Sequence, residues 1–484
     1  MLNINQQYFK TIGSVLLLLF IFKLGFCQDS TSVKQLHEFN FQFANQYRNN
    51  TLKPTWPIYT RNFENDPVNG ALPRFETLFD SNVKMSRSSH GLEFNTLNTN
   101  TSTQVYKTFP KIQAPAVLAK LEVANYSTNH NVQIGFVNNE SNLAILTRDT
   151  NNEKNEFKFE LRQEGKETII KTFKGIETNG KAYTLYFFLG NDDFRFMVKI
   201  NEGLQHIGIH SEKRSNFTQP SKVKKFSPAF GVTLNGKNRV SISEFSAGYF
   251  ESIGHADIRS VTYENGEPIR NQNGNFYIST PSCFMGKNGG SGGICVYEIN
   301  SNGRIVRPVS IIVAQNKEWI ESGTAAKLVF DRSTEQWLYV ARTFPSPGGM
   351  LHIGKTRENL LNDGLHFVNC KKYDGIVENS LDGDLIKIKN TWYIAYHGGR
   401  PRQLHIAKSV DLKTWEKTSA TDTGEGVSIA KMNNDYFIVD ATSPTQMEVR
   451  KLLNPAEVIG SIKLNPSPGN FHKHGGALRV CHSR

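Results

Sequence analysis

Cysteine is scarce, with five in 484 residues. Cys27 closes the N-terminal apolar stretch, and Cys283, Cys295, Cys370 and Cys481 lack the paired close spacing that a zinc site requires. Long apolar runs are also missing. The start, "MLNINQQYFKTIGSVLLLLFIFKLGFCQDS", holds one from Val15 to Phe22, too short to span a bilayer comfortably and preceded by a lightly basic segment, which reads as a secretory signal. Cleavage after Cys27 places Gly25 and Cys27 at the small-residue positions, and bulky Phe26 argues against a lipoprotein. No later segment is apolar for long enough to cross a membrane, so a soluble protein, secreted or periplasmic, is expected. There is no serine-centred nucleophile elbow, and the glycine-rich "KNGGSGGIC" follows no strand-to-helix transition, which excludes a phosphate loop.

What is present begins with charge. Fifty-six Lys and Arg against 44 Asp and Glu leave a formal +12, which concentrates anionic ligands near the surface. For an exported chain these are acidic or sulfated glycans more readily than nucleic acid. The expected partner is therefore an anionic poly- or oligosaccharide, with no nucleic acid, no membrane span and a monomeric state. Export also permits a disulfide, most simply Cys283 with Cys295, the alternative being buried thiols. The length suits two cores.

From about residue 36 to 250 the chain offers short alternating runs, among them "AVLAKLEV", "VQIGFV", "FKFELRQ" and "VSISEFSAGYF", each bounded by Asn, Gly or Asp. Strands of this kind without helical periodicity predict a β-sandwich. The pair "KAYTLYFFLGNDDFRFMVKINEG" resembles the hairpins of concanavalin A-like jelly rolls.

Past Phe250 the texture becomes repetitive. "MLHIGKTREN" from 350 is echoed by "QLHIAKSVDL" from 403, and more weakly by "GICVYEINSN" and "QMEVRKLLNP". An aromatic strand precedes each copy: "GNFYIST", "EQWLYVAR", "NTWYIAY" and "NDYFIVDA". A period of about 45–55 residues built from short strands is what propeller blades produce. The stretch from 251 to 484 suits five blades, the last completed by "GALRV" and an N-terminal strand. The expected organisation is thus all-β: a signal over 1–27, a jelly-roll sandwich over 28–250 and a five-bladed β-propeller, the catalytic half, over 251–484.

"SVDLKTWEK" at 409–417 resembles the blade ending of five-bladed glycosidases of the glycoside hydrolase family 43 type, and "EGVSIAKMNNDYFIV" resembles their catalytic-acid strand. The resemblance covers the C-terminal half. It implies a general-base role for Asp257, a pKa-tuning or orienting role for Asp382 and a general-acid role for Glu425. Glycosidase chemistry needs such carboxylates across the scissile bond, about 6.5–9.5 Å apart for inversion. Two departures stand out: Ile258 follows Asp257 where the family usually has proline, and Val427 follows Gly426 likewise. Asp384, His255 and Arg259 join as candidate substrate contacts. No cofactor is required, although a structural calcium near the propeller axis would suit the family; no metal-ligating cluster identifies one.

A rival chemistry lies in "YHGGRPRQLH" and "NFHKHGGALRV". Elimination from a uronic acid needs a cation on the C6 carboxylate and a proton carrier, parts that Arg400 and His397, with Tyr396, Arg402 and His474, could supply. A glycan-binding protein without catalysis is the third reading. His352 and His405, at equivalent repeat positions, are expected to pack.

Overall fold

The computed structural model describes residues 52–463 apart from 65–75, 79–82, 97–100, 128–129, 151–154, 165–168, 179, 191–192, 202, 212–219, 251–253, 256–257, 284–290, 303, 322–323, 344–349, 374, 377–378, 400–401, 423, 433 and 444–445. The chain is all-β, with one short helix, Pro220–Val223, among the described residues. Its contacts divide it into two compact units that part between Phe250 and Glu251.

The first unit is a β-sandwich of two antiparallel sheets, of eight and seven strands. Long alternating strands form its centre. Val117–Tyr126 pairs with Tyr183–Leu189 and with Arg239–Tyr249 in one sheet, and His130–Asn139 pairs with Ser227–Asn235 in the other. The hairpin read from the sequence forms as Tyr183–Leu189 against Asp193–Ile200. Between the sheets, Phe136 meets Phe187 edge-on at 5.3 Å, and Phe159 lies 4.9 Å from Phe196. Such ring pairs add to the area buried by each aromatic.

The second unit is built from four-stranded antiparallel meanders. The first runs through Arg259–Ser260 and Thr262–Tyr263, Phe276–Cys283, Ser291–Ile299 and Ile305–Gln315. The second is Thr324–Asp331, Gln336–Thr343, Met350–Thr356 and Gly364–Lys371. The third is Leu381–Ile388, Thr391–Gly398, Gln403–Ser409 and Glu416–Asp422, and the fourth Glu425–Met432, Asp435–Ser443, Gln446–Lys451 and Asn454–Lys463. The aromatic strands are the second strands of all four, and the echoed segments are the third. First strands of successive meanders pack on one another.

Each seam between meanders has its own core. Leu338, Val340 and Leu351 of the second meet Leu385, Trp392 and Ile394 of the third. Ile386, Leu404 and Ile406 of the third meet Val427 and Ile438 of the fourth. Burial of each such side chain contributes roughly 1.5–3 kcal/mol. The turns follow local chemistry. Lys389 and Asn390 make a two-residue hairpin with Lys389 at φ 54°, the conformation that primed turns demand. In the "SVDLKTW" motif, Ser409 Oγ accepts the Leu412 amide at 2.9 Å, Asp411 Oδ1 accepts the Lys413 amide at 2.8 Å, and Leu412 and Trp415 are buried in the seam. The motif is therefore a turn that satisfies its own amides while delivering two apolar anchors.

The first two meanders depart from separate blades. Ile305–Gln315 pairs in parallel with Gly364–Lys371, and Thr262–Tyr263 with Val329–Phe330, so that both meanders join one eleven-stranded sheet. The pairing satisfies amides and carbonyls that a free outer edge would leave to solvent. Four meanders lie within the described residues; "GALRV", expected in a fifth, lies outside them.

Glu298, in the first meander, accepts Asn271 at 2.7 Å, Asn275 at 2.6 Å and Arg307 at 3.0 Å. Burial pushes its carboxyl upward, but these donors outweigh it and hold the group below its ordinary 4.5. A depressed carboxylate contributes stability above its unfolded value, and that stability is lost as pH falls through the folded one. Glu298→Gln is expected to flatten the fall in unfolding temperature below pH 4.5, as measured by thermal unfolding across an acid series.

Candidate functional site

Three first strands begin with the same distortion. Pairing to the second strand slips between Thr324 and Lys327, between Leu381 and Asp384, and between Glu425 and Ser428. The second residue of each head is left-handed: Ala325 at φ 49°, Asp382 at 57° and Gly426 at 77°. Aspartate tolerates that conformation better than most residues. A bulge of this kind re-aims side chains at the end of a strand. The register makes Thr324, Leu381 and Glu425 equivalent, and likewise Lys327, Asp384 and Ser428. Arg259 joins the second set, because its partner Ser279 stands third after the strand's leading aromatic, as do Val340, Ala395 and Val439.

This layer is charged, and Arg259, Lys327 and Asp384 are all buried. The Arg259 guanidinium donates to the Val427 carbonyl and Ser428 Oγ, and reaches the Asp382 carbonyl at 3.4 Å. Lys327 Nζ donates to the Ser260 carbonyl at 3.1 Å and lies 3.4 Å from Asp384 Oδ1. Burial drives the lysine below its usual range; Asp384 opposes this and Arg259 adds to it. Asp384 accepts the amides of Leu385 at 2.8 Å and Ile429 at 2.9 Å, and Asp382 Oδ2 accepts the Gly426 amide at 3.2 Å. Both aspartates thus brace the third meander against the fourth. Arg259, read from the sequence as a substrate contact, directs both terminal nitrogens of its guanidinium to protein groups, while its buried Nε has no partner among the described residues.

His397 and Asp440 are fully buried, with Nε2 3.1 Å from Oδ1. The distance is that of an ion contact, but neither side chain has a hydrogen bond of proper alignment. Buried at this depth, His397 has no exposed atom to offer a sugar. Tyr396 is also buried and stacks on His405 at 5.3 Å. His405 donates from Nε2 to the Gly398 carbonyl at 3.3 Å, and burial lowers its imidazole. His352 packs edge-on against Trp319 at 5.4 Å. Equivalent register, opposite Tyr396 and Ala341, makes these two histidines the packing pair expected.

Of the remaining candidates, Asp257, Arg400 and His474 lie outside the described residues. Glu425 and His255 are described in backbone alone, opposite Ala441 and Ser282 respectively. The side chain of Cys283 is likewise undescribed, and Cys295 and Cys370 are buried. Among the described residues no group of three or more His, Cys, Asp or Glu is placed to hold a metal. Sequence reading missed Lys327 and Asp440, each a charge inside an apolar strand, "AAKLVF" and "FIVDA". That interruption was the available signal, since a charge in a core strand needs a buried partner.

No protein-family model matches the chain, and no curated protein does. Among solved structures it is similar to a legume lectin-like domain from Entamoeba histolytica, with 6% identity over 35% of this chain and 89% of the other, at a TM-score of 0.28. It is similar to the Crh5 transglycosylase, with 8% identity over 42% and 90% at 0.30. A carbohydrate-binding module, CBM66 from Bacillus subtilis, is similar at 13% identity over 36% and 95%, with a TM-score of 0.24. Likeness of this degree assigns the chain to no family.

Proposed function

We propose that the protein is an exported carbohydrate-active enzyme of polysaccharide breakdown, a glycoside hydrolase acting on anionic oligosaccharides. In this reading the C-terminal half closes into a five-bladed ring, and the N-terminal sandwich, jelly-roll-like in its hairpins, contributes binding or stability. Asp257 serves as general base, Glu425 as general acid and Asp382 as the residue that orients the acid.

One observation carries the reading: Asp382 Oδ2 accepts the Gly426 amide at 3.2 Å. The residue assigned the orienting role is thereby bonded to the residue directly after the assigned acid. Positioned carboxylates of this kind supply proton transfer to the leaving oxygen, and one must stay protonated at working pH. The formal +12 supports an anionic substrate. Elimination, by contrast, asks proton exchange of His397, a side chain without exposure.

The test is the product. Sulfated and uronate-containing oligosaccharides are incubated with the protein and followed by mass spectrometry and reducing-end assay. Hydrolysis adds one water across each cleaved bond and creates a reducing end. An ultraviolet-absorbing unsaturated uronate, or a product lighter by water, overturns hydrolysis in favour of elimination. Binding without any product overturns both.

A further inference from the structure

Among the described residues the His397–Asp440 pair has no counterpart at the other seams. The register places Thr280, Ala341 and Tyr396 where Asp440 stands, none of them acidic. A packing device of the repeat would recur in every meander; among the described residues this one occurs only between the third and the fourth. It also sits at one level of the fold. His397 lies opposite Leu381, the residue before Asp382, and Asp440 precedes Ala441, which lies opposite Glu425. Immediately before Glu425, Gly424 approaches the Ala441 carbonyl so closely that a Cβ there would collide with it. The backbone entering the Glu425 head is thus pressed on the strand that holds Asp440.

We propose that His397 and Asp440 are a buried positioning pair that locks the second strands of the third and fourth meanders together and thereby fixes the Glu425 head. The inference rests on the glycosidase reading. Two cross-links span the same seam: Asp382 to the Gly426 amide on the first strands, and His397 to Asp440 on the second. Neither side chain of the buried pair touches substrate; they act through the backbone that presents the acid. A buried polar side chain left away from its partner is costly, which favours the register in which the two meet.

The experiment separates positioning from mere stability by leaving group. An acid is needed for a phenyl glycoside and hardly needed for a dinitrophenyl glycoside of the same sugar. Asp440→Asn and His397→Gln are expected to lower turnover on the phenyl glycoside by about 10²-fold, the scale of a misplaced catalytic group, and to leave the dinitrophenyl glycoside nearly unchanged. Equal loss on both substrates, or loss on neither, overturns the proposal. Should either variant fail to fold, the double variant His397→Leu/Asp440→Leu removes both polar side chains together, which buried pairs often tolerate, and the same contrast is read from it. Glu425→Gln is assayed alongside. If it shows no leaving-group contrast, the glycosidase reading itself falls; if it does and the pair variants do not, only the positioning role falls.

Discussion

Glu425→Gln is expected to lower turnover on an unactivated glycoside by roughly 10²–10⁴-fold, the usual loss when a general acid is removed, with the unfolding temperature unchanged. Gln keeps the shape of Glu and cannot give up a proton, so the loss falls on the chemical step, in kcat, more than on KM. Asp257→Asn should do comparable damage by removing the proposed base. Asp382→Asn keeps an acceptor for the Gly426 amide and should cost less than Asp382→Ala, which leaves that buried donor unpaired. Steady-state kinetics on the substrate found by product analysis decide the ranking. Wild-type turnover in Glu425→Gln would remove the acid from the proposed site.

The largest effect on stability is expected at Asp384. Its carboxylate joins Lys327 at 3.4 Å and the Leu385 and Ile429 amides at 2.8 and 2.9 Å, all at a buried place. Asp384→Ala leaves the Lys327 ammonium with one carbonyl partner and with Arg259, a like charge, acting on it. Breaking a buried pair from one side typically costs about 3–5 kcal/mol. The double change Lys327→Met/Asp384→Leu should recover most of that loss, because it removes both desolvation penalties. Urea unfolding of the three variants measures the difference. A single Asp384→Ala variant as stable as the parent would show the layer to be solvated in solution.

Strand content, the aromatic second strands and the four-fold order of segments were legible because they are written in local periodicity. Strands alternate by two, hairpin turns demand Asn, Gly or a left-handed residue, and "SVDLKTW" satisfies its own amides within five residues. The equivalence of His352 and His405 followed from the same repeat. None of this requires knowing what lies on the other side of the chain.

The roles of individual charges were a different matter. From sequence, Asp382 and Asp384 were acids at the head of one strand, and His397 was a histidine beside two glycines. Only the tertiary structure decided that Asp384 closes on Lys327, in the preceding meander, and that His397 meets Asp440 across a seam. The parallel joining of Ile305–Gln315 to Gly364–Lys371 was equally silent in the sequence. Composition and spacing determine which faces are apolar and where the chain turns, since those depend on neighbours a few residues away. Which buried charge finds which partner depends on the register between meanders, and that is set when whole apolar faces pack and the penalty for an unpaired charge selects among the arrangements left.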